Sequence, residues 1–477
     1  MERAEEIIKP FASPELLVRR KLAVGSREAE LIYNPDLTNA DLLSRLIEAI
    51  GSFRARPKSA LELIERVVCI AECSAEKDTD KAREGLLDGD ASLIVDEIPE
   101  IIVINIRKWD KRAVAEPPTS TVMRGPREGF IEDIKTNLSL IERRLRTPAL
   151  AIEKTKVGRQ SNTAVAIVYL ASVASPETVR EVRERLGKID IDALIDSHYV
   201  QPLLEDKPFS IFHQTGVTEK PDIVTSKLLE GRVAILVDGS PMVITVPFML
   251  VEDYHSSEDY YERSSLATFL RIIRLVSVFF AILLPGLYVA LEQYHYSVIP
   301  LRFLITVMTA VNGIPLLPLS EIIFVIMLFE IIREASVRMP RAVGMAMSIV
   351  GALVLGDTAV KAGIISSPAV MITALSSIAL YTAPNQEGTL TLLRIAFTIL
   401  GGFGGMYMLI LGSLYMIVYL CSLQSFGVPY TAPFAPFIPS DMKDSVYRAS
   451  LLRMYKRPKA IGNVNETRQG EDNGSAK

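Results

Sequence analysis

The sequence predicts two architectures in one chain: an α/β soluble N-terminal half of two small mixed α/β subdomains, followed by an all-α polytopic membrane domain. Three observations lead there. Residues 265–440 hold only 14 Asp, Glu, Lys or Arg in 176 positions, whereas the other 301 positions carry 94 of the chain's 108. A water-exposed surface needs that charge and a lipid-facing one excludes it. Strand-like and helix-like segments alternate through the first 260 residues, the pattern of a mixed α/β class. Beyond residue 274 come five stretches without formal charge, 275–291, 303–320, 342–356, 362–386 and 395–440. The resulting boundaries are 1–115 for an arm and the first subdomain, 116–264 for a linker and the second, 265–440 for four to six transmembrane spans, and 441–477 for a basic cytoplasmic tail.

Residues 1–24 read as a polar arm. Ala29–Tyr33 is a short strand-like run. Thr38-Asn39-Ala40-Asp41 can start a helix to about Ile50, because Thr or Asn can cap its exposed amides. Leu61–Ala71 and Thr79–Leu87 read as two more helices. Ser92–Asp96 and Ile101–Ile106 are β-branched runs around a turn, hence a hairpin. Residues 109–128 are linker-like, with Pro117 and Pro118 favouring extended chain. The second subdomain has a charged helix at Ile131–Arg146, a strand at Ala164–Leu170 and a helix at Pro176–Leu186 with proline in its first turn. Another helix begins within Asp192–Tyr199. Val233–Val237 and Met242–Val246 flank Asp238-Gly239, a strong hairpin signal.

In the apolar half, a full span needs about 20 residues to cross about 30 Å of hydrocarbon. The 342–356 stretch is short by that measure, and 395–440 is long enough for one span plus a loop or for two spans. Pro429, Pro433, Pro436 and Pro439 favour a loop at its end. Basic residues cluster at Arg263, Arg271 and Arg274, at Arg333, Arg338 and Arg341, and from Lys443 to Lys459. The positive-inside tendency places all three on the cytoplasmic side, so even numbers of crossings separate them. The second interval contains three candidates. One is therefore a half-span or surface segment, or 395–440 crosses twice.

The net charge of −4 argues against a nucleic-acid partner. Cys69 and Cys73, four apart, read as a reduced pair on one helix face. With only four scattered histidines, no metal site is expected. The amino terminus lacks a signal-peptide core, so the first half is expected in the cytoplasm. No phosphate loop, dinucleotide fingerprint or nucleophile elbow occurs, so neither an enzyme nor a cofactor is expected. Gly125-Pro126-Arg127-Glu128-Gly129 lacks the Gly-Lys-Ser/Thr core of a phosphate loop.

That same segment carries a resemblance. Arg124-Gly125-Pro126-Arg127-Glu128-Gly129-Phe130, with Thr136-Asn137-Leu138 and Arg143-Arg144, resembles the signature of the spore germination receptor A subunits, the GerA family. The likeness continues through Leu229-Glu230-Gly231-Arg232, Val237-Asp238-Gly239, Glu258-Asp259-Tyr260-Tyr261-Glu262-Arg263, Arg338-Met339-Pro340 and Gly356-Asp357-Thr358-Ala359-Val360-Lys361. It departs at Phe212-His213-Gln214, where the family usually has Phe-Pro-Gln, and at Lys220, where it has Arg. The resemblance implies a subunit of the spore inner membrane that acts with a B subunit and a lipoprotein C subunit. It implies nutrient sensing and assembly of the A subunit into a homo-oligomeric cation channel. Alternatives are a paralogue involved in dipicolinic acid release, a transporter-like protein and a membrane-anchored scaffold.

Candidate pore or bundle-interior residues follow from spacing. Gly344, Ser348, Ala352 and Gly356 recur every four residues and form one small-residue stripe, suited either to close helix packing or to a pore. Asp357 and Lys361 are four apart and read as an ion pair or as two residues snorkelling to water. Glu321 follows Ser320 after a helix-breaking Asn312-Gly313-Ile314-Pro315. It reads as a first-turn acid beside a serine cap, or as an acid lining a cation path. Glu330 is a second acid in the same apolar run.

Overall fold

The computed structural model describes residues 2–57, 59–68, 73–107, 124–340, 343–344, 349, 351 and 353–468. The first unit contains α1 (Glu2–Ile8), β1 (Val18–Val24), β2 (Arg27–Tyr33), α2 (Ala40–Ser52), α3 (Ala60–Arg66), β3 (Cys73–Glu76), α4 (Thr79–Asp88), β4 (Ala91–Val95) and β5 (Ile101–Ile104). The second contains α5 (Ile134–Arg144), β6 (Leu150–Val157), β7 (Thr163–Leu170), α6 (Pro176–Gly187), α7 (Ser197–Leu204), β8 (Gly216–Thr218), α8 (Pro221–Leu229), β9 (Val233–Val237) and β10 (Val243–Val246). Each builds a five-stranded sheet with every neighbouring pair antiparallel, in the orders β1-β2-β4-β5-β3 and β6-β7-β9-β10-β8. Element for element, the two units follow one plan: helix, two strands, two helices, strand, helix, hairpin.

Local chemistry sets the boundaries. The Asn39 side chain accepts from the amides of Asp41 and Leu42 and starts α2, as expected. The Asp133 carboxylate takes the Thr136 amide and starts α5 three residues later than its charge pattern indicated. Asp196 caps α7, which begins at Ser197, within the expected Asp192–Tyr199. Gly239, at φ 85°, makes the β9–β10 turn expected from Asp-Gly. The polar-arm reading of residues 1–24 is corrected. Ala4 and Ile7 of α1 are fully buried in a cluster with Leu86 and Ile101, and β1 is an edge strand. Four charged residues within α1 masked that two-residue apolar face. Cys73 opens β3 instead of sharing a helix with Cys69, which lies outside the described residues, as does 108–123 of the expected linker.

The helical half contains α9 (Ser264–Gln293), α10 (Leu301–Val311), α11 (Pro318–Arg338), α12 (Ser367–Leu380) and α13 (Glu387–Cys421), with a π-helical turn at Val354–Ala359 before α12. Among the described residues two segments, Ser264–Gln293 and Pro384–Cys421, are long and apolar enough to cross a membrane. The 303–320 stretch is not one helix: the chain breaks between α10 and α11, with Gly313 at φ 90°. Within α13, Gly404 and Gly405 leave helical geometry, and Gly405 adopts φ 57°, ψ −145°, which a side chain would strain. A Cβ on Gly412 would meet the side chains of Leu400 and Phe397, so the legs 387–403 and 406–421 lie antiparallel. Each leg is about 25 Å long at about 1.5 Å per residue.

This hairpin orients the rest. Its two ends meet the second unit: Thr389 donates to the Ile211 carbonyl, and Tyr419 Oη to Ser210 Oγ at 3.0 Å. Its tip meets the far end of α9, where Tyr294 Oη donates to the Gly402 carbonyl at 2.9 Å. Leu319 of α11 touches Gly402 at that far end, while Arg333 reaches Glu387 at the near end. Close packing of α9 against the first leg uses glycine: a Cβ on Gly401 would overlap the Gly286 carbonyl oxygen. Pro285 cannot donate to Ala281 within α9, and Ser376 Oγ of α12 supplies that bond at 2.8 Å. Phe279, Phe280, Phe403, Tyr407 and Tyr415 face outward on these helices.

Candidate functional site

The resemblance motifs from Arg124 to Arg263, scattered over 140 positions, gather around the second unit and its junction with α9. Arg124 pairs with Glu262 at 2.8 Å, and Gly125, at φ 115°, lies against the Tyr261 ring, 2.6 Å from where a Cβ would stand. Glu128 holds both Arg143 and Arg144 at 2.6 Å. Tyr261 Oη donates to Asp222 at 2.8 Å. Asp238 accepts the Ile134 amide, and the Gly239 amide donates to the Glu132 carbonyl. Pro126, Arg127 and Gly129 complete the strap that leads into Phe130, whose ring is buried in the second core.

Asp259, fully buried, receives Arg271 at 3.0 Å and Arg274 at 2.7 Å from α9, and Arg271 also reaches Asp444 of the tail at 3.0 Å. Burial opposes the Asp259 charge, but Arg274 and Arg271 outweigh it and hold its carboxyl below the usual range. The tail packs against this site. Arg448 donates to the Glu262 and Tyr260 carbonyls, and Asn463 stands against Gly231, whose φ is 97°. Glu230 beside it is raised by burial, with Arg232 opposing at 3.5 Å. At the departures, Lys220 is fully buried and donates to Ser257 Oγ at 2.9 Å, with Asp222 at 3.8 Å. His213 is exposed.

One acid at the junction has no cationic partner at hydrogen-bond distance among the described residues. Asp253 accepts from Gln386 Nε2 at 2.5 Å, just ahead of α13. Burial pushes its carboxyl up to about 7. Neighbouring Glu252 behaves oppositely: Arg232 and Lys227 overcome its burial and keep it low.

In the helical half, Glu330 is not alone. It pairs with Arg333 at 2.5 Å and with Arg394, which is fully buried and also donates to Ser377 Oγ at 2.9 Å. Arg333 continues to Glu387 at 2.6 Å. Sequence reading missed Arg394. Its signal was its position as the last charge before the 46 uncharged residues of 395–440.

Glu321 lies in the first turn of α11, but the expected cap at Ser320 is absent: Ser320 Oγ donates back to the Leu317 carbonyl. Glu321, 0% exposed, instead accepts the amide of Ser366, the N-cap of α12. Asp357 and Lys361 form an ion pair at 2.6 Å, both more than half exposed. Of the stripe from Gly344 to Gly356, the described residues include its two ends. Gly344 packs against the Ser336 carbonyl of α11, Gly356 meets nothing within 4 Å, and Ser348 and Ala352 lie outside the described residues. Gly356 sits in the π-helical turn.

The fold and site define a class: a duplicated antiparallel α/β module whose strap, hairpin and tail clamp the first of a set of apolar helices. The family model described as Bacillus/Clostridium GerA spore germination protein matches residues 5–460. Spore germination protein KA of Bacillus subtilis is 40% identical over 86% of this chain and 76% of its own. Spore germination protein GerLA of Bacillus cereus is 33% identical over 98% and 96%. The chain belongs to the GerA family of spore germination proteins. A crystal structure of the N-terminal domain of the A subunit of the Bacillus megaterium spore germinant receptor GerK3 matches at 30% identity, covering 51% of this chain and 91% of that one, with a TM-score of 0.39.

Proposed function

We propose that this chain is the A subunit of a nutrient-sensing receptor in the spore inner membrane. It acts with a B subunit and a lipoprotein C subunit, and it oligomerises into a cation channel whose opening starts germination. The observation that carries the membrane reading is the α13 hairpin. α9, α11, α12 and the two legs are read as five crossings, and a sixth between Arg338 and Ser366 makes the number even. An even number is consistent with Arg271 and Arg274, Arg333 and Arg338, and Lys443 to Lys459 lying on the side of the soluble units, which supports a cytoplasmic position for both termini. The exposed Phe and Tyr side chains of α9 and α13 support a lipid-facing surface.

The pore reading takes 342–361 as the lining segment and is supported by the exposure of Gly356, Asp357 and Lys361. Ser348→Cys in reconstituted receptor is expected to react with a water-soluble thiol reagent and to change ion flux. A thiol that stays unreactive in a conducting complex removes this pore assignment. A reporter fused after Lys459 that reads as extracytoplasmic removes the topology.

A further inference from the structure

We propose that Glu321, Glu292, Tyr288 and Ser366 form a binding site for a monovalent metal cation at the far end of the helical half. The site rests on contrast with the other acids of these helices. Glu330 and Glu387 each have arginine partners. Among the described residues Glu292 and Glu321 have none, and the cluster contains no basic side chain. Glu321 is fully buried, and only one carboxylate oxygen is used, by the Ser366 amide; Oε2 has no partner. Glu292 Oε2 and Tyr288 Oη are buried and close no hydrogen bond of full geometry, though they face each other. All three converge. Tyr288 and Glu292 are four apart on α9, so they share a face. The Tyr288 hydroxyl faces both Glu292 and Ser366, and Glu321 lies within electrostatic range of both α9 residues.

A buried carboxylate with one hydrogen bond is strongly disfavoured unless a cation or a proton compensates. Two carboxylates, a phenol and a serine hydroxyl supply only oxygen donors, the ligand set of hard cations rather than of zinc or copper. The described residues provide no group of three acidic or metal-binding side chains. Two close carboxylates in a buried site keep one proton between them, and the single negative charge left matches a singly charged ion. Three helices, α9, α11 and α12, each contribute a donor, so the ion would tie the first span to the middle of the bundle.

The test uses the full chain in detergent. Its thermal midpoint is measured in KCl, NaCl, RbCl and N-methylglucamine chloride at equal ionic strength, for the wild type, Glu292→Gln, Tyr288→Phe and Glu321→Gln. An ion that binds only the folded state raises the midpoint with its concentration. The expected result is a midpoint higher in at least one alkali salt than in N-methylglucamine. Glu292→Gln and Glu321→Gln abolish that difference, and Tyr288→Phe shifts the half-saturating salt concentration at least about tenfold, the loss of one modest ligand. If Glu321→Gln does not fold, Glu292→Gln and Tyr288→Phe decide alone. No alkali-specific difference in the wild type overturns the proposal, as does a difference that survives Glu292→Gln. A midpoint that responds to pH and not to the identity of the cation assigns the pair protons alone and also overturns it. The readout is binding, so its failure is separate from failure of the channel reading.

Discussion

Replacing Asp253 with asparagine isolates a titration at the junction of the two halves. Asp253 is 8% exposed, and its one hydrogen bond is to Gln386, the residue before α13. In an unfolded chain an aspartate titrates near about 3.9, whereas burial raises this one to about 7. Below the lower value both states are protonated and pH has no effect. Between the two the folded protein keeps a proton that the unfolded chain has lost. Stability therefore falls as pH rises through this window and stays low above it. At about 1.4 kcal/mol per unit, the full effect is at most about 4 kcal/mol. The asparagine of Asp253→Asn is neutral throughout and can still accept from Gln386. Urea denaturation of the full chain in detergent, from pH 4 to 8, should show the variant gaining on the wild type as pH rises. The two should differ by less than about 0.5 kcal/mol near pH 4, as for an ordinary substitution without other effects. Glu142, raised to about 7 by burial at the contact with Asn34 of the first unit, titrates in both proteins and cancels in the difference. Parallel curves for wild type and variant would refute the assignment.

Gly125→Ala forces a side chain into a positive-φ position 2.6 Å from the Tyr261 ring, and a loss of about 1–3 kcal/mol is expected in the same denaturation assay. Gly401→Val pushes α9 from the hairpin where the backbones touch; detergent-solubilised protein should lose its thermal midpoint by an amount reflecting about 1–3 kcal/mol or more of overpacking, and an unchanged midpoint would show that this crossing is absent. For Asp357→Asn and Lys361→Gln, a double-mutant cycle on the isolated chain should give a coupling of at most about 1 kcal/mol because both groups are exposed, while a larger coupling in the assembled receptor would place the pair at a subunit contact.

The sequence by itself determined the partition into a charged and an apolar half, because charge density reports solvent directly and needs no partner residue to interpret. It also determined elements whose signals are local: the Asn39 cap of α2, Pro176 at the start of α6 and the Asp238-Gly239 hairpin are each specified within a few residues. The motifs that carried the resemblance named the family, yet not why Arg124 and Glu262 belong together, since that pairing exists only after the second sheet folds. Tertiary structure decided the rest. The duplication of the two units shows in strand order and not in residues, because a fold plan constrains burial far more than identity. The hairpin in α13 turns on Gly404 and Gly405, two glycines in a glycine-rich run whose local signal is the same as that of glycines used for helix packing, such as Gly401. Whether a buried charge is paired depends on which helices become neighbours. Arg394 finds Glu330 across 64 positions, and among the described residues Glu321 finds only the Ser366 amide, a difference that neither residue's own surroundings in the chain could encode.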